Sequence, residues 1–213
     1  VSLEDLLFVV KKITGRVQIP VSVDFERGYA EDPMQVKENA HRLLAVGAVG
    51  FNLEDGQADG RLSPLELQIQ KIQALCELKK ELDLPFVINA RTCAYWLNIG
   101  SEEEKLAEAV RRGNAFAEAG ADCVFVPGAM NQETARELVS GIHSPLNLIL
   151  NGVYHDFAGL AKLGVRRLST GSGPARFLCE ETIKMAEKVK DGDVDAVLQS
   201  TFSYAKANAF FQK

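Results

Sequence analysis

The chain has 213 residues, 46% hydrophobic and 25% charged, with a formal charge of −5. That is enough apolar material for one sizeable core, and the scattered Lys and Arg residues argue against a nucleic-acid or anionic-membrane partner, which needs clustered positive charge. No apolar run reaches membrane-spanning length and no secretory leader opens the sequence, so a cytoplasmic location is expected, with Cys76, Cys93, Cys123 and Cys179 as reduced thiols outside any C-x-x-C pair.

In chain order, residues 3–13 read as a helix and VQIPVSVDF as a strand. DPMQVKENAHRLLAVG is a helix with Asp32 as N-cap and Pro33 at its first position, and AVGFNLED returns to β. SPLELQIQKIQALCELKKEL opens with Ser63, Pro64 and Glu66 as a capping box, PFVINA is a strand, and SEEEKLAEAVRRGNAFAEAG repeats the box with Ser101 and Glu104. Strand DCVFV, helix NQETARELVSG, strand LNLIL, a short helix over HDFAGLAKLG, strand RRLST and a helix over ARFLCEETIKMAEKVK continue the alternation. Gly47, Gly120 and Gly164 each take the C′ position before a strand. A last helix over about 194–211 carries Phe202, Tyr204, Phe210 and Phe211, and is expected to pack on the domain or on a neighbouring subunit.

Strands read as apolar on both faces, alternating with amphipathic helices, imply a parallel sheet covered by helices. A doubly wound sheet would carry G-x-G-x-x-G after its first strand; that motif is absent, and polar residues follow every strand rather than one switch point. The expected fold class is therefore α/β, a (β/α)8 TIM-type barrel, as a single domain over residues 1–213. Six strands are counted, so the first two β/α units are expected upstream of Val1, in keeping with the absent initiator Met.

In such a barrel the functional groups gather at strand ends. Here these are Asp24 and Glu26, Glu54-Asp55, Arg91-Thr92, Pro127-Gly128, Asn151 and Thr170-Gly171-Ser172. Three acids on neighbouring ends suit a partly hydrated, oxygen-bound cation, Mg²⁺; the planar fork of Arg91 suits a carboxylate or phosphonate. The same acids could instead cap loop turns or pair with Arg27 and Arg91 as structural ion pairs. Asp55-Gly56 reads as an ordinary turn and Gly171 to Gly173 as a phosphate cradle. His41, His143 and His155 lack ligand spacing, and Cys93 reads as a small filler rather than a reactive thiol.

VDFERGYA, GAVGFNLEDG, PFVINARTCA, EAGADCVFVPG and LGVRRLSTG, in this order and spacing, resemble the isocitrate lyase/phosphoenolpyruvate mutase superfamily over nearly the whole chain. The resemblance implies barrels that bind Mg²⁺, or Mn²⁺, and small anionic 2-oxo acids or phosphonates, as homodimers or homotetramers with helix exchange. It implies Asp24 as direct metal ligand, Glu26 and Glu54 on the metal's waters, and Arg91 on the substrate's anionic group. Glu54 and Arg91 are then the catalytic candidates, with Gly28, Tyr29 and Asn89 beside the substrate.

Departures narrow the reaction. NLEDGQADGRLSPLE lacks the lyases' cysteine-bearing loop and the mutases' gating asparagine and lysines, keeping Arg61 as its one cation; Cys93 stands where relatives carry Asp, and Ala30 where they carry Gly. The expected activity is Mg²⁺-dependent cleavage or formation of a C–C or C–P bond next to the carbonyl of a small 2-oxo acid, through an enolate. The alternatives are a catalytically silent 2-oxo acid binding protein of the same fold, or a phosphate-binding synthase built around Gly171 to Gly173.

Overall fold

The computed structural model describes residues 1–198 and 201–211. The chain divides into two compact units, Val1–Ser169 and Thr170–Lys213. The first alternates α1 (Leu3–Thr14), β1 (Ser22–Asp24), α2 (Pro33–Ala45), β2 (Gly50–Glu54), α3 (Leu65–Leu82), β3 (Val87–Arg91), α4 (Glu102–Glu118), β4 (Cys123–Val126), α5 (Gln132–Gly141), β5 (Leu146–Ile149), α6 (Phe157–Leu163) and β6 (Arg167–Ser169). Every strand pairing is parallel, and the sheet order follows the chain from β1 to β6 without the reversal of a doubly wound sheet.

Local chemistry sets most of the boundaries. Asp32 Oδ1 accepts from the Met34 N–H while Pro33 presets the first helical φ of α2. Ser101 and Glu104 cap each other at the start of α4. The box expected from Ser63 and Glu66 does not form. Pro64, which has no side-chain oxygen, holds the N-cap position of α3, and the Ser63 N–H is used on the Asp55 carbonyl at 2.7 Å. Gly47, Gly120 and Gly164 stop their helices with φ of 98°, 106° and 111°.

The two faces of the sheet differ in β2, β3 and β5, which corrects the reading of strands apolar on both, whereas Cys123, Val124, Phe125 and Val126 of β4 are all buried and bear it out. Phe51, Leu53, Ile88, Val124, Val126 and Leu148 join the helices in the core. Their alternates, Asn52 and Glu54, Asn89 and Arg91, and Asn147, lie on the opposite face by the two-residue period. Register sets Asn52 beside Asn89 and Glu54 beside Arg91. The buried amides pair across strands: Asn89 Nδ2 donates to Asn52 Oδ1 at 2.7 Å, and Asn147 Nδ2 to Ser169 Oγ at 3.0 Å. On the helix side Phe51 lies 5.1 Å from Phe25 and 5.5 Å from Phe86 between ring centroids, and burying each ring contributes about 2–3 kcal/mol.

The second unit contains α7 (Gly173–Lys190), α8 (Asp195–Leu198) and α9 (Tyr204–Phe211). The single helix expected over 194–211 is therefore two. Residues 201–203 are not helical and the Ser203 hydroxyl accepts from the Lys206 N–H, a capping interaction that starts a new helix; residues 199 and 200 lie outside the described residues. No residue of α7 is buried, and Phe177, Leu178 and Ile183 are exposed. Among the described residues no helix is long and apolar enough to cross a membrane.

Candidate active site

Strands β1, β2 and β3 end on Asp24, Glu54 and Arg91. Arg91 Nη1 lies 2.7 Å from Glu54 Oε2 and 4.0 Å from Asp24 Oδ2. The Glu54 and Arg91 side chains are 14% and 13% exposed, whereas Asp24 is 56% exposed at the open side. The Arg91 guanidinium carbon sits 5.6 Å from the Trp96 ring centre and 5.8 Å from that of Phe125, so aromatic faces flank the cation. Its Nε is buried and has no hydrogen-bond partner among the described residues. Leaving such a donor buried without a partner costs about 1–3 kcal/mol.

Glu26 lies beyond the strand on which the sequence alternation puts it. β1 ends at Asp24, Phe25 is fully buried, and Glu26 has φ of 50°, so the chain has left the strand before Glu26 and the two-residue pleat no longer sets its side chain. Its N–H lies 3.4 Å from Asp24 Oδ1, and its carbonyl accepts from the Glu54 N–H at 2.8 Å. Burial pushes the Glu54 carboxyl above the ordinary carboxylate range; Arg91 opposes this, and the charges of Glu26, Asp24 and Asp55 add to it. Burial likewise raises the Tyr29 phenol, with Glu26 and Asp24 contributing. The acids share a negative field that one arginine does not cancel.

Among the described residues no three His, Cys, Asp or Glu side chains are gathered as a ready-made metal cage. Mg²⁺ does not require one, because it keeps several waters and takes one or two carboxylates directly. Asp24, Glu26 and Glu54 supply the type of oxygen donor that ion takes.

The remaining expected residues divide. Tyr29, with φ of 57°, packs its ring 5.9 Å from Phe25 in the loop that carries Glu26. Gly28 has φ of 88°, and a Cβ there would come within 2.6 Å of Val36, so both conformation and space require glycine. Asn89 is fully buried, two residues below Arg91 on its strand, with its amide on Asn52 and its Oδ1 unpartnered. Cys93 Sγ lies 3.9 Å from Glu54 Oε2, and burial pushes its thiol up to about 12, so it fills space rather than attacks.

Asp55 is not the ordinary turn residue its Gly neighbour suggests. It is fully buried, accepts from the Cys93 N–H at 2.7 Å and from Arg112 Nη1 at 3.1 Å, and thereby ties the ends of β2 and β3 to α4. The loop beyond it closes on itself: Gln57 N–H bonds the Arg61 carbonyl at 2.8 Å, and Arg61 is engaged by Asp59. Sequence reasoning missed Arg112, Lys71, Asn39 and Trp96. Lys71 Nζ donates to the Arg27 and Ala30 carbonyls, and Asn39 Nδ2 to the Gly28 carbonyl. A signal existed, since Lys71 falls on the buried stripe of α3 with Gln68, Ile72 and Leu75, and Arg112 on that of α4 with Ala109 and Phe116.

The sequence profile of the family described as phosphoenolpyruvate phosphomutase matches residues 1–190. An uncharacterised Mycobacterium tuberculosis protein is 33% identical over 178 residues, covering 83% of this chain and 64% of its own length. An oxaloacetate decarboxylase of Rhodopseudomonas palustris is 25% identical over 200 residues, covering 90% of this chain and 66% of its own. The chain thus spans slightly less than two thirds of these relatives. The crystal structure of a Burkholderia cenocepacia protein, described provisionally as a lyase/mutase, superposes with a TM-score of 0.91 at 25% identity, over 100% of this chain and 77% of that one.

Proposed function

The chain belongs to the phosphoenolpyruvate mutase family of the isocitrate lyase/phosphoenolpyruvate mutase superfamily, and on that premise we propose that it is a Mg²⁺-dependent enzyme cleaving a C–C bond at the carbon next to the carbonyl of a small 2-oxo dicarboxylate. The observation that carries the reading is the buried, unpartnered Nε of Arg91 on a guanidinium already 2.7 Å from Glu54. A substrate carboxylate takes Nε and an Nη together, a bidentate grip that draws Arg91 from Glu54. Trp96 and Phe125 hold the guanidinium plane and shed water from it. Asp24, Glu26 and Glu54 would hold the Mg²⁺, which would supply Lewis-acid stabilisation of negative charge on the substrate's carbonyl oxygen.

The choice among family reactions rests on the states of Cys93 and Arg61. Cys93 is buried with a thiol near about 12, and Arg61 in the short loop is engaged by Asp59. Loss of CO₂ from an oxaloacetate-like acid needs neither a nucleophile nor a base at a hydroxyl. The electrons of the breaking C–C bond move into the carbonyl as an enolate, and a proton from water then gives the 2-oxo monoacid. The test is pyruvate release from oxaloacetate: a rate above the spontaneous one, lost with EDTA and in Arg91→Met, supports the reading. No turnover of oxaloacetate, other 2-oxo dicarboxylates or phosphonopyruvate, together with tight oxalate binding, would favour the binding-protein alternative, for which the buried Cys93 thiol and the engaged Arg61 also speak.

Three further parts of this reading are proposals. Closure of the six units into an eight-unit barrel accords with the chain-order sheet. Assembly as a homodimer or homotetramer accords with the exposed Phe177, Leu178 and Ile183 of α7. A cytoplasmic setting accords with four cysteines that form no disulfide.

A further inference from the structure

We propose that Lys71, seconded by Asn39, is a latch that positions the acid-bearing loop after β1. This rests on the reading that the loop's Glu26 serves the ion beside Asp24 and Glu54. The loop holds an unfavourable shape: Glu26, Gly28 and Tyr29 have φ of 50°, 88° and 57°, and two of these are not glycine. Such a conformation persists only where the surroundings over-determine it.

The surroundings do so through the loop's carbonyls. Glu26 O accepts from the Glu54 N–H at 2.8 Å, Arg27 O from Lys71 Nζ at 3.2 Å, Gly28 O from Asn39 Nδ2 at 3.0 Å and Ala30 O from Lys71 Nζ at 2.8 Å. One ammonium therefore pins two carbonyls three residues apart, across either side of the Gly28-Tyr29 turn. The Lys71 side chain is 2% exposed, and its closest carboxylate, Glu31, stands 3.8 Å away and is largely in water. The charge on the buried stripe of α3 is thus satisfied mainly by loop carbonyls rather than by an acid. Lys71 touches no reacting atom in this reading; it acts through the placement of Glu26.

The test uses the full chain with Lys71→Met, the conservative Lys71→Arg, and Asn39→Leu as an independent break in the same latch. Two readouts are taken on protein shown to be folded by circular dichroism: tryptic cleavage after Arg27 in the native state, and oxalate affinity in Mg²⁺ followed by the fluorescence of Trp96. Lys71→Met is expected to be cut after Arg27 about tenfold faster, because the loop opens locally, and to bind oxalate about tenfold more weakly, because the acid is displaced. Lys71→Arg is expected to recover both. Should Lys71→Met not fold, Asn39→Leu decides, with the same signs. Variants that match wild type in both readouts overturn the latch. If wild type itself binds no oxalate, the functional reading falls and the cleavage at Arg27 alone decides the latch.

Discussion

Replacing Arg91 with Met keeps the length of the stem and removes the fork. The loss on binding is two charge-assisted hydrogen bonds to a carboxylate, each worth about 1.5–3 kcal/mol, or about 3–6 kcal/mol together. That corresponds to oxalate binding weakened by roughly 10²–10⁴-fold. A second effect acts on the free protein. Glu54, 14% exposed and 2.7 Å from Arg91, loses its cation, and one-sided removal from a buried pair costs about 3–5 kcal/mol, or roughly 6–20 °C in Tm for a chain of this size. Mg²⁺ bound beside Glu54 should return part of that loss. The assay is an oxalate titration in Mg²⁺ followed by Trp96, the one tryptophan of the chain, alongside a thermal melt. Arg91→Lys should recover more of the Tm than of the affinity, since it restores charge without the fork. If Arg91→Met melts lower yet binds oxalate as wild type does, Arg91 is only the structural partner of Glu54 and the grip on substrate is refuted.

Other expectations follow from the same structure. Phe51→Ala, in a fully buried ring cluster, should cost about 3–5 kcal/mol in urea unfolding; a loss below 1 kcal/mol would show that the core collapses around the gap. In alkylation at pH 8 monitored by mass spectrometry, exposed Cys179 should react first, while Cys93 and Cys123, pushed by burial to about 12 and about 11, should react only on unfolding. Arg112→Met should destabilise by about 3–5 kcal/mol by stranding buried Asp55, and a neutral outcome would remove the tie between β2, β3 and α4. Arg111 first, then Arg112, hold the Glu108 carboxyl below its usual range against partial burial. A depressed folded pKa gives stability that is present above the unfolded value, about 4.3, and lost as pH falls through the folded one. Glu108→Gln should therefore flatten the acid side of the stability profile.

What the sequence discloses follows the physics of each signal. Helix starts at Asp32 and Ser101 and helix stops at Gly47, Gly120 and Gly164 are local, each decided within a few residues, and these are legible. The adjacency of Glu54 and Arg91 is legible too, because a parallel sheet in chain order fixes which strand ends are neighbours. The polar inner face was present as a two-residue alternation, Asn52 with Glu54 and Asn89 with Arg91, but its flanking Phe51, Leu53, Ile88 and Ala90 make the strands look uniformly apolar. Ser63 shows the limit of a motif: capping-box spacing is right, yet the residue that lands on the cap is Pro64. The left-handed Glu26 and Tyr29 have no propensity signature, since contacts from 41 to 44 residues away impose them through Lys71. Lys71 and Arg112 were the readable exceptions, as charges placed on apolar helical stripes.

The central claim is an ion and a keto-acid mimic sharing one site, and the most direct measurement is oxalate binding to the wild-type chain and to Asp24→Asn, each with Mg²⁺ and with EDTA. The account predicts saturable binding by wild type only when Mg²⁺ is present, and its loss in Asp24→Asn at the same Mg²⁺ concentration. Oxalate binding that is indifferent to EDTA, or undiminished when the Asp24 carboxylate is gone, would contradict it.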